Sequence, residues 1–165
     1  MGLDMYLSVR KYINRVDFSK GYDDKNGWSN NPEFDRLIEG GGFSEWLEPQ
    51  DSTGANVEIP VAYWRKANAI HKWFVDTRAD GVDNCQPISA HADHLKELLE
   101  LCDQALEDRE NADEYLPTES GFFFGGTEYD EYYFQDLEYT QRRLRELIPM
   151  MEKSGNDWAV YQASW

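Results

Sequence analysis

The sequence predicts an α+β domain: a small mixed or antiparallel sheet of about four strands packed by three main helices. Three observations lead there. Segments at both ends and in the middle alternate apolar and polar residues, as half-buried strands do. Segments in the second half repeat apolar residues at helical spacing. Clusters of Gly, Asn, Asp and Ser separate these segments. With 165 residues the chain has the length of one domain, and it can bury about two thirds of its unfolded surface without a metal or disulfide. It is therefore read as a single domain over 1–165, with a variable, irregular insert at about 14–55.

Leu3, Met5, Leu7 and Val9 alternate with Asp4, Tyr6, Ser8 and Arg10, which predicts the first strand. The insert is rich in turn-forming residues and has three glycines at Gly40–Gly42. Only Phe34–Ile38 and Phe43–Leu47 offer apolar pieces, enough for short helical turns. Val57–Val61 is read as a second strand. Pro60 is taken to precede a helix over Tyr63–Asp76, and Val82–Ile88 holds a third short strand. Ser89 would cap a helix running to about Glu107, with Leu95, Leu98, Leu99, Cys102, Ala105 and Leu106 on its apolar stripe. Thr127, three residues before Asp130, resembles a capping box for the last helix. That helix buries Tyr133, Leu137, Leu144, Leu147 and Ile148 and ends at Pro149 and Gly155. Trp158–Trp165 alternates again as a final strand.

The charge is strongly acidic: 32 Asp and Glu against 16 Lys and Arg, a net of −16. Direct binding to nucleic acid needs a cationic footprint and is not expected. An anionic membrane surface is disfavoured for the same reason, and no run of residues reaches transmembrane length. No leader or lipid anchor is read at the N-terminus. The two cysteines, Cys85 and Cys102, form no disulfide framework and suit a reducing compartment.

Four segments carry a resemblance: the start MGLDMYL, the central YWRKANAIHKWFV, the stretch GFFFGGTEYDEYYFQDL and the ending YQASW. Together they resemble a family of small uncharacterised proteins encoded by tailed phages and prophages. The resemblance thins across roughly Asn14–Ala55. It transfers no catalytic residues. It implies a context, that of a phage accessory protein acting in the host bacterial cytoplasm, where such proteins often counter host defence.

One segment departs from the acidic background. Between Val61 and Arg78 stand Arg65, Lys66, Lys72 and Arg78 against the single acid Asp76. A cationic island requires either neighbouring carboxylates or an anionic ligand. On a helix over Tyr63–Asp76, Tyr63, Ala67, Ile70 and Phe74 would face the core. Trp64, Asn68 and His71 would form one adjacent column, with Arg65 and Lys72 just beyond it and Lys66 and Trp73 on the opposite flank. An indole, an amide and an imidazole beside two cations suit a nucleotide: stacking, edge reading and phosphate binding. The bland alternative is that Trp64 and Trp73 are shoulders of the core face and the cations are paired.

Gly125-Gly126-Thr127 resembles an anion cradle at a helix start, but Glu128 and Asp130 in the first turn would repel a phosphate. Three successive phenylalanines cannot all face one core. Phe122 and Phe124 would share a side, and with Tyr129 they would form an aromatic wall beside the basic helix. His91 and His94 lack further ligands at a metal-binding spacing. A Cys85–His–Asp arrangement is unspecific at this composition. No metal and no cofactor are expected.

These readings give a binding protein for a small anionic, nucleotide-derived signal of the host. The ligand residues are Trp64, Arg65, Asn68, His71, Lys72, Phe122, Phe124 and Tyr129. Two alternatives stay open: an acidic inhibitor that mimics nucleic acid toward a host defence protein, and a small nucleotide-degrading enzyme. Catalytic residues are not assigned, and self-association into a homo-oligomer is left open.

Overall fold

The computed structural model describes residues 2–48, 51–155 and 158–165. It is an α+β fold built on a four-stranded antiparallel sheet and a separate two-stranded one. The chain divides into two compact units. One comprises Met1–Val9 with Ile59–Trp165, and the other comprises Arg10–Glu58.

The larger unit is organised by the four-stranded sheet. Strand β1 runs Asp4–Asn14, and the final strand, Trp158–Ser164, lies antiparallel to it in the register Asp4↔Ser164 to Val9↔Ala159. The alternation expected at the N-terminus is present: Leu3, Met5 and Leu7 are fully buried. A short strand, Ile88–His91, pairs with the other side of the final strand. The opposite edge is taken by the long strand Gly54–Arg65. Helices Ala92–Glu107 and Glu131–Ser154 pack against each other. Leu95, Leu98, Leu137 and Leu144 are among their fully buried side chains.

The unit Arg10–Glu58 covers the stretch read as an insert. It contains the two-residue strands β2 (Tyr22–Asp23) and β3 (Gly27–Trp28), and helix α1 (Pro32–Gly40). Asn31 caps α1 by accepting from the Glu33 N–H, and Pro32 occupies the first turn, where its missing donor costs nothing. Phe34, Ile38 and Ile13 form a small core of their own. A 3-10 turn at Phe43–Glu45 lies in the second apolar piece read from the sequence.

In chain order the remaining elements are β4 (Gly54–Arg65), α2 (Asn68–Arg78), β5 (Ile88–His91), α3 (Ala92–Glu107), α4 (Ala112–Tyr115), α5 (Glu131–Ser154) and β6 (Trp158–Ser164). Among the described residues no helix is long and apolar enough to cross a membrane.

Several expected boundaries are corrected. The helix read from Tyr63 begins at Asn68, because Tyr63, Trp64 and Arg65 belong to β4. Ala62 and Trp64 are buried while Tyr63 and Arg65 are exposed, a period of two rather than 3.6. Pro60 does not end the strand, because β4 is a sheet edge, where a missing N–H can be tolerated. Ser89 lies inside β5 opposite Val160, so it caps nothing. The cap of α3 is His91, whose N–H donates to His94 Nδ1 at 3.2 Å. The pair at i and i+3 is thus a helix-capping device. Helix α5 is capped by Asp130, whose carboxylate accepts from the N–H groups of Tyr132 and Tyr133. Thr127 precedes the helix. Pro149 is carried within α5, and the left-handed Gly155 stops it.

Candidate functional site

The turn from β4 into α2 positions the site. Lys66 follows the strand in a left-handed conformation, φ 65°, unusual for a side chain larger than glycine. Its N–H donates to the carbonyl of Leu3 at 2.8 Å, and its carbonyl accepts from Asn68 N–H at 2.8 Å. The chain then enters α2 with no side-chain cap. Among the described residues the N–H groups of Ala69 and Ile70 have no hydrogen-bond partner. They are the open donors of a helix N-terminus.

A cavity of about 320 Å³ opens at this turn. Arg65 and Lys66 line it, with Ala69 and Ile70 at the start of α2. The beginning of α5 also lines it, with Asp130, Tyr132 and Asp136. Gly125 and Gly126 are part of the lining as well. Gly125 has φ 92°, and a Cβ there would stand 3.2 Å from Lys66 Cβ, so glycine lets the loop lie directly against the lysine.

Asn68 holds that loop in place. Its amide nitrogen donates to the carbonyls of Gly126 at 2.7 Å and Phe124 at 3.2 Å. Its oxygen accepts from Glu119 N–H at 3.1 Å. These bonds use both amide hydrogens and occupy the oxygen, so Asn68 is a buried clamp on the loop rather than a reader of a base edge.

Charge pairing separates the members of the cationic island. Lys72 pairs with Asp76 at 2.7 Å, a bond that holds its ammonium above the usual lysine range. Arg78 pairs with Glu97. Arg65 and Lys66 make no ion pair and no side-chain hydrogen bond among the described residues. The Asp136 carboxylate is likewise without an ion pair or hydrogen bond there; its backbone carbonyl accepts from the Thr140 hydroxyl. Burial pushes Asp136 up to about 6, and the nearby Asp130 charge adds to the shift.

The expected column of Trp64, Asn68 and His71 is not formed, because Trp64 precedes the helix. Trp64 is 2% exposed and donates its indole N–H to Thr140 Oγ1 at 2.8 Å. His71 is 1% exposed. Its Nδ1 meets the Tyr161 hydroxyl at 2.7 Å and its Nε2 meets Asp83 at 3.1 Å. Both ring nitrogens are therefore engaged in the fold. Phe124 is buried edge-on against His71, whereas Phe122 is 95% exposed. Tyr129 accepts from Thr118 N–H and packs on Tyr133.

Of the eight ligand residues expected, Arg65 and Asn68 line the cavity. Lys66, Tyr132 and Asp136 were missed. Lys66 was visible within the basic segment, but the assumed helix turned it to the wrong flank. Asp136 had no signal among so many acids. Among the described residues no group of three His, Cys, Asp or Glu side chains is arranged to hold a metal ion. No family model matches the chain, no curated protein matches it, and no solved structure matches it.

Proposed function

We propose that the protein binds a small anionic ligand, nucleotide-like in size and charge, in the cavity at the start of α2. One observation carries this reading: Arg65 and Lys66 are adjacent, unpaired cations on a protein of net charge −16, and they line a cavity at an uncapped helix N-terminus. Acidic side chains neutralise most of the other cations of this unit. An anion at Arg65 and Lys66 would meet two charges and the open N–H groups of α2 together. The cavity volume falls at the lower end of the range for small-molecule sites.

The phage-like segments supply a setting for this activity. In a host bacterial cytoplasm, a protein that holds a nucleotide-derived signal without turning it over would withdraw that signal from a defence system. A second reading, turnover of the ligand, is favoured by Asp136. A carboxyl with a pKa of about 6 inside the cavity is suited to general acid or base work.

Calorimetric titration with mononucleotides and inorganic phosphate tests the binding reading. Saturable binding that is lost in the double variant Arg65→Gln/Lys66→Gln supports it. Absence of binding to folded protein, or binding indifferent to that variant, overturns it. Chromatography of the incubated ligand separates holding from turnover.

A further inference from the structure

The cavity carries charge of both signs without internal pairing. Arg65, Lys66 and Asp136 all line it, and no ion pair joins the two cations to the carboxylate among the described residues. A carboxylate in the lining would repel a simple anion. The other acidic groups of the lining are placed otherwise: Asp130 caps α5, and Glu128 is exposed. Asp136 is left as a solvent-accessible acceptor with no hydrogen-bond or ion-pair partner in the protein among the described residues. Its complement is a donor group on the ligand, at the end away from the anion.

Apolar and aromatic side chains share the lining with these charged groups. Ile70, Leu137 and the buried Tyr133 are among the lining residues, together with Tyr132, whose ring is exposed. A flat ring fits such surroundings, with Tyr132 as a stacking partner. We propose that the occupant is a nucleotide whose base turns a hydrogen-bond-donating edge, an amino group of guanine, adenine or cytosine, toward Asp136. Its phosphate lies at Arg65, Lys66 and the start of α2. This inference rests on the anion-binding reading above and narrows it. Uracil is disfavoured, because carbonyls flank its one ring N–H and would face the carboxylate.

Calorimetry with the full chain distinguishes the outcomes, using GMP, AMP, CMP, UMP, ribose 5-phosphate and a short ω-amino acid. At least one of the three amino-bearing nucleotides should bind about tenfold or more tighter than UMP and ribose 5-phosphate, the discrimination expected when a polar group is left unmatched. Asp136→Asn, a neutral residue of the same size, should weaken that nucleotide about tenfold while leaving ribose 5-phosphate within about threefold. Circular dichroism of the variant confirms the fold. Equal affinity for UMP and the amino-bearing nucleotides overturns the base inference and leaves the anion reading standing. Binding of the ω-amino acid without any nucleotide overturns the base inference in favour of a small zwitterion. No binding by any phosphorylated compound overturns both.

Discussion

The indole N–H of Trp64 donates to the Thr140 hydroxyl at 2.8 Å, and that hydroxyl donates in turn to the carbonyl of Asp136 at 2.7 Å. A buried chain of hydrogen bonds thus runs from the edge strand to the turn of α5 that carries the cavity carboxylate. Trp64 supports the site from behind. It has no face free for a ligand.

Trp64→Phe should therefore lower stability by about 1–3 kcal/mol, through the lost hydrogen bond and the smaller ring. Ligand affinity should fall by less than about threefold. Urea unfolding and calorimetry on the same variant check both. An unchanged stability with abolished binding would return Trp64 to the ligand surface.

Asn68 has a different role, because its bonds hold the loop that carries Gly125 and Gly126. Asn68→Asp presents a carboxylate to two carbonyls that need donors. It should destabilise by about 2–4 kcal/mol, more than Asn68→Ala relative to the contacts removed, since repulsion is added to loss. Hydrogen exchange across residues 119–126 should rise in both variants. Exchange confined to α2 would contradict the clamp.

Lys66 sits in a left-handed conformation beside Gly125. Lys66→Gly removes strain of about 1–2 kcal/mol and adds about 0.5–1 kcal/mol of unfolded-state entropy, so stability should rise by about 0.5–1 kcal/mol. Anion binding should weaken at least tenfold at low salt, since one of two unpaired cations is gone. A more stable protein that binds less is the signature of a residue kept for function. Chemical denaturation beside calorimetry gives both values.

Asp136 links stability to pH. Its folded pKa is raised to about 6 from an ordinary 3.8. The folded state therefore binds a proton more tightly than the unfolded state between these values. Ionisation costs stability above pH 6, and the cost disappears as pH falls toward 4. Asp136→Asn should raise the melting temperature by about 2–4 °C at pH 7.5, after allowing for partial solvent screening, and by nothing at pH 4. Scanning calorimetry at the two pH values checks the sign. In the wild type, affinity for an amino-bearing nucleotide should fall as pH drops through 6, as the accepting carboxylate is lost.

Much of the fold was legible because periodicity is local. The alternation of Leu3, Met5 and Leu7 required a half-buried strand, and Leu95, Leu98 and Cys102, like Leu137 and Leu144, required helices with one buried face. The acidic balance and the basic island around Arg65 were likewise plain in the residues. What lay beyond local pattern was set by partners. Pro60 could stand within β4 only because that strand became a sheet edge, and this alone moved Trp64 from a helix face into the core. His71 became structural because Tyr161, 90 residues away, met its ring. Lys72 and Lys66 look alike in sequence, yet Asp76 neutralises one while the turn into α2 leaves the other bare. The sequence by itself determined which segments were strands and helices over most of their length, and where positive charge was concentrated. Tertiary structure decided which charges stayed unpaired. Pairing depends on angstrom-scale distances between residues remote in the chain, and only packing sets those distances.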